Sequence, residues 1–364
     1  MPGHSTHSVA VIVLNWNNAA DTTACVESLL RMDRDAAVFV VDNASTDASM
    51  SDIRNWARVE LPKRNAERAA QGRAPYTFEE HREVAANVEA EAEPLDCVVH
   101  LIQSGANLGY AGGNNVGLRA ARRSNYAFYW VLNNDTRVAD DALSRALDRI
   151  ASDTSVGLCG STLVYMDAPE TVQCRGGGSF QRLTGRPGQI GQGSRLSDRV
   201  EVSAIERQMR YISGAATLVR REIVDQVGFM DEGYFLYFEE LEWASQAKGK
   251  YRLGYAPKSI VYHKVGASIG TDDRGRGQSD LAVYYMTRGR IRYCLRHSRI
   301  SLPFVVLDTL RSIVCSLFGG KHRRAAMCRR VVRGPSPRVS RRAGRWRGRS
   351  RVCRVWPVRG GCGC

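Results

Sequence analysis

No stretch of about eighteen uncharged apolar residues occurs anywhere in the 364 residues, so the sequence predicts no membrane-spanning helix. The polar opening MPGHSTHS leads straight into an apolar run and carries no secretory pattern. None of the 10 cysteines forms a C-x-x-C pair, so the spacing of a zinc ribbon or a redox dithiol is missing. Cys25, Cys97, Cys159, Cys174, Cys294, Cys315 and Cys328 lie scattered, mostly inside apolar runs, and read as small hydrophobes in a reducing cytoplasm. There is no GxxxxGK[ST] loop, and no GxGxxG follows the first apolar run, which argues against P-loop and dinucleotide chemistry. Acidic residues are absent from 329–364, and the twelve arginines there account for all but three of the net charge of +15. The body is therefore nearly balanced, and its basicity gives no reason to expect a specific nucleic-acid partner.

What is present is the alternation of an α/β protein. Residues 9–14 (VAVIVL) form a continuous β-branched run, expected as a buried parallel strand. Residues 19–31 have helical spacing, and 37–41 form a second buried strand ending at Asp42 and Asn43. Strands are expected at 97–102, 126–132 and 156–165, with helices at 112–123 and 139–151. The Gly-rich stretch 175–193 reads as a hairpin or loop, 211–219 as a strand, 222–227 and 240–248 as short helices, and 252–256 and 259–263 as two short strands. Residues 57–94 are polar, rich in Arg, Glu and Ala, and are expected as a partly helical surface insertion.

Three polar clusters fall at expected strand ends: 15–18, 42–47 and 133–135. Open α/β sheets bind ligands at the carboxyl ends of their strands. A nucleotide-sugar needs a side chain that bonds its base and a hard cation with oxygen ligands on its diphosphate. Asp135 at a strand end suits such a cation, with Asn133 and Asn134 beside it for ribose or phosphate. The stretch 107–115 (NLGYAGGNN), with Asn107, Gly109, Gly113 and Asn114, opens a helix whose N-terminus favours an anion such as pyrophosphate. An ordinary Gly-rich strand-to-helix turn gives the same pattern.

The strings VIVLNWNN, VVDNASTD, NLGYAGGNNVGL and WVLNND, in that order, resemble the nucleotide-binding half of family 2 glycosyltransferases, especially their rhamnosyltransferase-like branch. The segment from ISGAATLVRR to VYHKVGAS resembles that family's acceptor half. The resemblance spans roughly residues 8–56 and 96–300. It implies a GT-A fold, a Rossmann-like and mostly parallel sheet flanked by helices, with a helical C-terminal extension. It also implies an inverting displacement and a divalent cation, Mg2+ or Mn2+. Carried onto this chain, Asn15, Asp42, Asn43 and Asp47 lie on the nucleotide side, with Asp42 on the base. Asn133-Asn134-Asp135 stands in place of the family's DXD motif, with Asn at its first position, and Asp135 becomes the metal ligand. His263 completes the metal shell. Glu239-Glu240 occupies the position of the catalytic base, where the family more often has Asp; Glu240 is assigned, with Glu239 as alternative. Gly214 and Ala215 are expected to line the acceptor pocket, with Glu242 and with Trp243, which either stacks on a sugar or lies in the core.

The expected layout is a glycosyltransferase domain over 1–275, basic amphipathic helices over 276–328, and an Arg-rich tail over 329–364 that lacks the apolar groups to fold alone. Arg288, Arg290, Arg292, Arg296 and Arg299, among apolar residues of 281–318, suit peripheral contact with the inner face of an anionic membrane. The implied partners are a nucleotide-sugar and a saccharide or lipid-linked acceptor. The competing reading is a GT-A-like binding protein without catalysis.

Overall fold

The computed structural model describes residues 8–81, 97–264, 271–272 and 277–332. Residues 82–94 of the expected insertion and 333–364 of the expected tail lie outside the described residues.

Strand β1 (Val9–Asn15), helix α1 (Ala19–Leu30), β2 (Ala37–Asp42), α2 (Ser49–Ala70), β3 (Thr77–His81), β4 (Val98–Gln103), α3 (Gly109–Arg122) and β5 (Phe128–Asn133) form the first half. β6 (Thr136–Val138), α4 (Ala142–Ala151), β7 (Val156–Tyr165), β8 (Ala168–Arg175), and the hairpin strands β9 (Gly177–Gln181) and β10 (Arg186–Gln189) follow. Then come α5 (Val202–Gln208), β11 (Tyr211–Ile212), β12 (Ala216–Arg220), α6 (Arg221–Gln226), α7 (Glu239–Ala247) and β13 (Arg252–His263). The chain continues through the short pair β14 (Thr271–Asp272) and β15 (Gly277–Gln278) into α8 (Asp280–His297), α9 (Leu302–Phe318) and α10 (His322–Val332). Residues 329–332, expected within the tail, are the end of α10.

The main sheet runs β3-β4-β2-β1-β5-β12-β7-β13-β6, with β8 on β7. Its first five strands are parallel, and β12 enters antiparallel between β5 and β7. Both faces are covered, so the period of two sorts each strand between two cores. Val9, Val11 and Val13 of β1 join the core under α1, α2 and α4. Ala10 and Ile12 face the other, under α3 and α7. Each fully buried Val or Ile contributes about 1.5–3 kcal/mol.

Three elements differ from the sequence expectation: residues 211–219, expected as one strand, divide into β11 on β9 in a small sheet and β12 in the main sheet. Residues 252–256 and 259–263 form one strand, β13, whose pairing with β7 shifts register between Ala256 and Ile260. Pro257 lies at that shift, where a missing N–H does least harm to the ladder. The polar stretch from residue 57 is largely helix α2, which buries Ile53, Ala57 and Leu61 at spacings of four, followed by edge strand β3. Few apolar groups are needed because only one stripe of α2 meets the domain.

Candidate functional site

The register brings the three polar clusters to one edge. Asn15 pairs with Asp42 across β1–β2, and Leu14 pairs with Asn133 across β1–β5. A hydrogen-bond chain links them. Asn134 Nδ2 donates to Thr22 Oγ1 at 3.0 Å, Thr22 Oγ1 to Asn15 Oδ1 at 2.6 Å, and Asn15 Nδ2 to Asp42 Oδ1 at 2.8 Å. Buried Asp42 also accepts from the Ser45 amide at 3.0 Å, the Ser45 hydroxyl at 2.5 Å and Gln103 Nε2 at 3.0 Å. The carboxylate that the resemblance assigns to the base is thus engaged by the chain's own donors. Asn43 holds the next loop, accepting from the Leu108 amide at 3.0 Å and donating to the Gly109 carbonyl at 3.1 Å. Asp47 is exposed and accepts from the Ser49 amide at 3.0 Å, which fixes the entry to α2. Asn107 Oδ1 accepts from the Gly109 amide at 3.0 Å.

The glycines of the 107–115 loop answer to packing. Gly109 has φ +71, and a Cβ there would meet the Phe235 carbonyl at 2.2 Å. A Cβ on Gly113 would lie 2.4 Å from Leu14 Cδ1, so this glycine seats α3 on β1. Asn114 is fully buried, and its Oδ1 has no hydrogen-bond partner.

Asp135 and His263 come from opposite halves of the sequence. β13 pairs with β6 so that His263 faces Thr136, which sets His263 Nε2 3.2 Å from Asp135 Oδ1. Asn133 Nδ2 is 3.5 Å from the same nitrogen. His263 Nδ1 is 2.8 Å from Gln173 Oε1, and donation there leaves Nε2 as a lone pair aimed at a carboxylate. A divalent cation between imidazole and carboxylate satisfies both, with Gln173 orienting the ring from behind. The donor set therefore fits a hard or borderline cation such as Mg2+ or Mn2+.

Helix α7 begins after two consecutive non-glycine residues in the left-handed region, Tyr237 (φ 65) and Phe238 (φ 75). Such strain is held only where surrounding structure enforces it. It sets Glu239 and Glu240 at the first turn. Burial raises the Glu240 carboxyl above the ordinary 4.5, opposed by backbone donors that include the Gly214 amide. Burial raises Glu239 well above 4.5, the charge of Glu240 adds to this, and Glu239 Oε2 is buried without a partner. Glu240, not Glu239, meets Gly214: a Cβ added there would lie 2.6 Å from Glu240 Oε1 and 2.9 Å from the Tyr110 hydroxyl. Tyr110 donates to the Gly214 carbonyl at 2.5 Å. Its hydroxyl is held far above 10 by burial, then by the charges of Glu240, Glu239 and Asp135. Tyr110 thus holds the Gly214 backbone beside Glu240, a role that no spacing rule reads from the NLGYAGGNN string.

Two expected acceptor-pocket residues are elsewhere. Trp243 is 1% exposed, donates to the Gly228 carbonyl at 2.9 Å and is a core residue. Glu242 is 2% exposed and ties α7 to α8, accepting from Tyr234 at 2.8 Å and Arg296 at 3.1 Å, with His297 Nε2 at 3.0 Å. Both side chains turn inward from α7, away from the direction expected of a sugar contact. Ala215 is buried, its carbonyl accepting from the Asn133 amide at 3.2 Å.

Several basic residues expected on a membrane face are likewise engaged within the protein. Arg290 pairs with Asp308 at 2.6 Å, and Arg292 and Arg296 with Asp231 at 3.0 and 2.5 Å.

Residues 81–228 match the family model for glycosyl transferase family 2. The low-salt glycan biosynthesis hexosyltransferase of Haloferax volcanii is 24% identical over 159 residues, 41% of this chain and 46% of that protein. The N-acetylglucosaminyl-diphospho-decaprenol L-rhamnosyltransferase of Mycobacterium tuberculosis is 28% identical over 190 residues, 48% of this chain and 61% of that protein. The chain thus matches about half the length of these curated relatives. The mannosyltransferase PcManGT of Pyrobaculum calidifontis, solved with GDP-Man and Mn2+, superposes with a TM-score of 0.51 over 90% of this chain and 86% of that one, at 16% identity. That likeness is one of fold, in keeping with the GT-A expectation.

Proposed function

We propose that this chain, a family 2 glycosyltransferase sequence over residues 81–228, moves a hexose from a nucleotide-diphosphate-sugar to an acceptor hydroxyl with inversion. The reading rests on one observation: the strand end that carries Asp135, paired with His263, is bonded through the Asn133 amide to Ala215, next to the Gly214 that meets Glu240.

Glu240 takes the proton of the acceptor hydroxyl as that oxygen attacks the anomeric carbon, and the bond from this carbon to the diphosphate oxygen breaks. Its raised pKa makes it a stronger base once ionised. Asp135 and His263 would hold a Mg2+ or Mn2+ ion, which when bound would supply charge neutralisation at the diphosphate. Asn15, Asp42, Asn43, Asp47, Asn107, Gly109, Asn133 and Asn134 form the donor side, with Asp42 and Asn43 acting through the loops that they fix. Gly214 gives the acceptor its approach to Glu240. The donor is dTDP-rhamnose or a UDP- or GDP-sugar.

A saccharide or lipid-linked glycan is the acceptor class, supported by the lipid diphosphate in the name of the mycobacterial relative. Ile300, Phe304, Leu307, Leu310, Val314 and Phe318 are exposed along the outer side of the α9 region, opposite buried Val305, Thr309 and Ile313. Residues Arg299–Phe318 are also long and apolar enough to cross a membrane, contrary to the sequence expectation, and only 28% of their apolar window is buried inside the protein. Asp308 within this helix is bound to Arg186 and Arg290 of the domain. A helix lying on the cytoplasmic membrane surface, one face to lipid and one to the domain, accounts for both observations.

The test is thermal shift of the full chain against UDP, dTDP, GDP and CMP, with and without Mn2+ or Mg2+, alongside Asp135→Ala. A nucleotide-specific, cation-dependent rise that disappears in the variant is expected. No stabilisation by any nucleotide would favour the binding protein without catalysis.

A further inference from the structure

A second cluster of metal-ligating side chains lies on the β3–β4 edge, built by strand periodicity. Phe78 and Glu80 of β3 face α2, where Glu80 pairs with Arg54 at 2.6 Å. The opposite face must therefore carry Glu79 and His81. Register sets Glu79 directly against His100 of β4. His81 Nε2 and His100 Nδ1 are 3.0 Å apart; Glu79 Oε2 lies 3.3 Å from His100 Nδ1 and 3.6 Å from His81 Nε2. The same three atoms define all three distances, so they form one closed triangle.

A tetrahedral zinc ion with bonds of about 2.0–2.1 Å has ligand-to-ligand edges of about 3.3–3.4 Å, and the observed edges bracket that value. The ligand chemistry, two imidazoles and one carboxylate, is that of a site with three protein ligands and one open position. His100 is held in place by its ring contact with Phe39, centroids 4.4 Å apart. The His100 side chain is 11% exposed, so its ring stays fixed against the β3 face that carries Glu79 and His81.

We propose that Glu79, His81 and His100 bind one zinc-class divalent cation, with water in the fourth position, which staples edge strand β3 to β4. The site is separate from the Asp135–His263 pair and does not depend on the proposed transfer reaction.

The test is zinc stoichiometry of the full chain after chelation, by equilibrium dialysis and elemental analysis, for wild type, Glu79→Gln, His81→Gln and Asp135→Asn. Glu79 and His81 side chains are 47% and 41% exposed, so both substitutions are expected to leave the fold intact. Either edge substitution should remove one equivalent, both from wild type and from the Asp135→Asn background. Cobalt substitution should give tetrahedral visible absorption without a thiolate charge-transfer band, lost in His81→Gln. Equal stoichiometry in wild type and both edge variants, with matching circular dichroism, overturns the proposal. So does cobalt absorption that persists in His81→Gln.

Discussion

A Cβ on Gly214 would lie 2.6 Å from Oε1 of Glu240, so the absence of a side chain at one position decides where the carboxylate at the other can sit. Gly214→Ala should push Glu240 off its line to the acceptor. A displacement of this order costs about 100-fold in turnover. Nucleotide release from the accepted donor measures it, with donor binding by thermal shift expected to remain. Unchanged turnover would remove Glu240 as base.

Glu239 makes a prediction about pH. Its carboxyl is raised well above 4.5, so between that value and its folded pKa the folded chain holds a proton that the unfolded chain has lost. Stability therefore falls as pH rises through this window. Glu239→Gln removes the titrating group while keeping its shape. It should melt higher than wild type at pH 8, with the gain shrinking as pH falls to 4.5 and below. A constant difference across pH would show that Glu239 is ionised in the folded protein.

Gln173 Oε1 lies 2.8 Å from His263 Nδ1, the ring nitrogen away from Asp135. Gln173→Ala should weaken Mn2+ affinity by about 10- to 100-fold, the usual effect of losing a partner that orients a ligand. Titrating Mn2+ into the nucleotide-bound chain reads it, and Gln173→Asn gives the control for a retained amide.

Gly113 separates packing from ligand contact. Its added Cβ would strike Leu14 Cδ1 at 2.4 Å, so Gly113→Ala should cost about 1–3 kcal/mol by chemical denaturation. Donor affinity, measured where the chain is folded, should change little. A large loss of affinity at unchanged stability would return this glycine to the nucleotide side.

The outer face of α9 predicts membrane behaviour. Leu307 and Phe318 are 66% and 90% exposed, and replacing both by Ser should leave the melting temperature within a few degrees. Co-sedimentation with anionic vesicles should fall several-fold. Retained sedimentation would place any membrane contact elsewhere.

By itself the sequence determined the doubly wound first half, because buried parallel strands and amphipathic helices write their periods directly into residue order. It also pointed to one sheet edge for Asn15, Asp42 and Asn133, since polar turn residues end three of the expected parallel strands. Strand β3 escaped it, because a polar edge strand has no apolar alternation to betray it. Only the tertiary structure distinguishes the surroundings of Glu239 and Glu240, since a one-residue step on a helix turns a side chain by about 100° and the strained entry at Tyr237 and Phe238 sets the starting angle. Tertiary structure likewise sent Trp243 into the core and Glu242 to α8, brought Gln173 behind His263 and closed the Glu79–His81–His100 triangle. Each depends on contact between residues far apart in the chain or on register between strands, and neither quantity is local to any window of sequence.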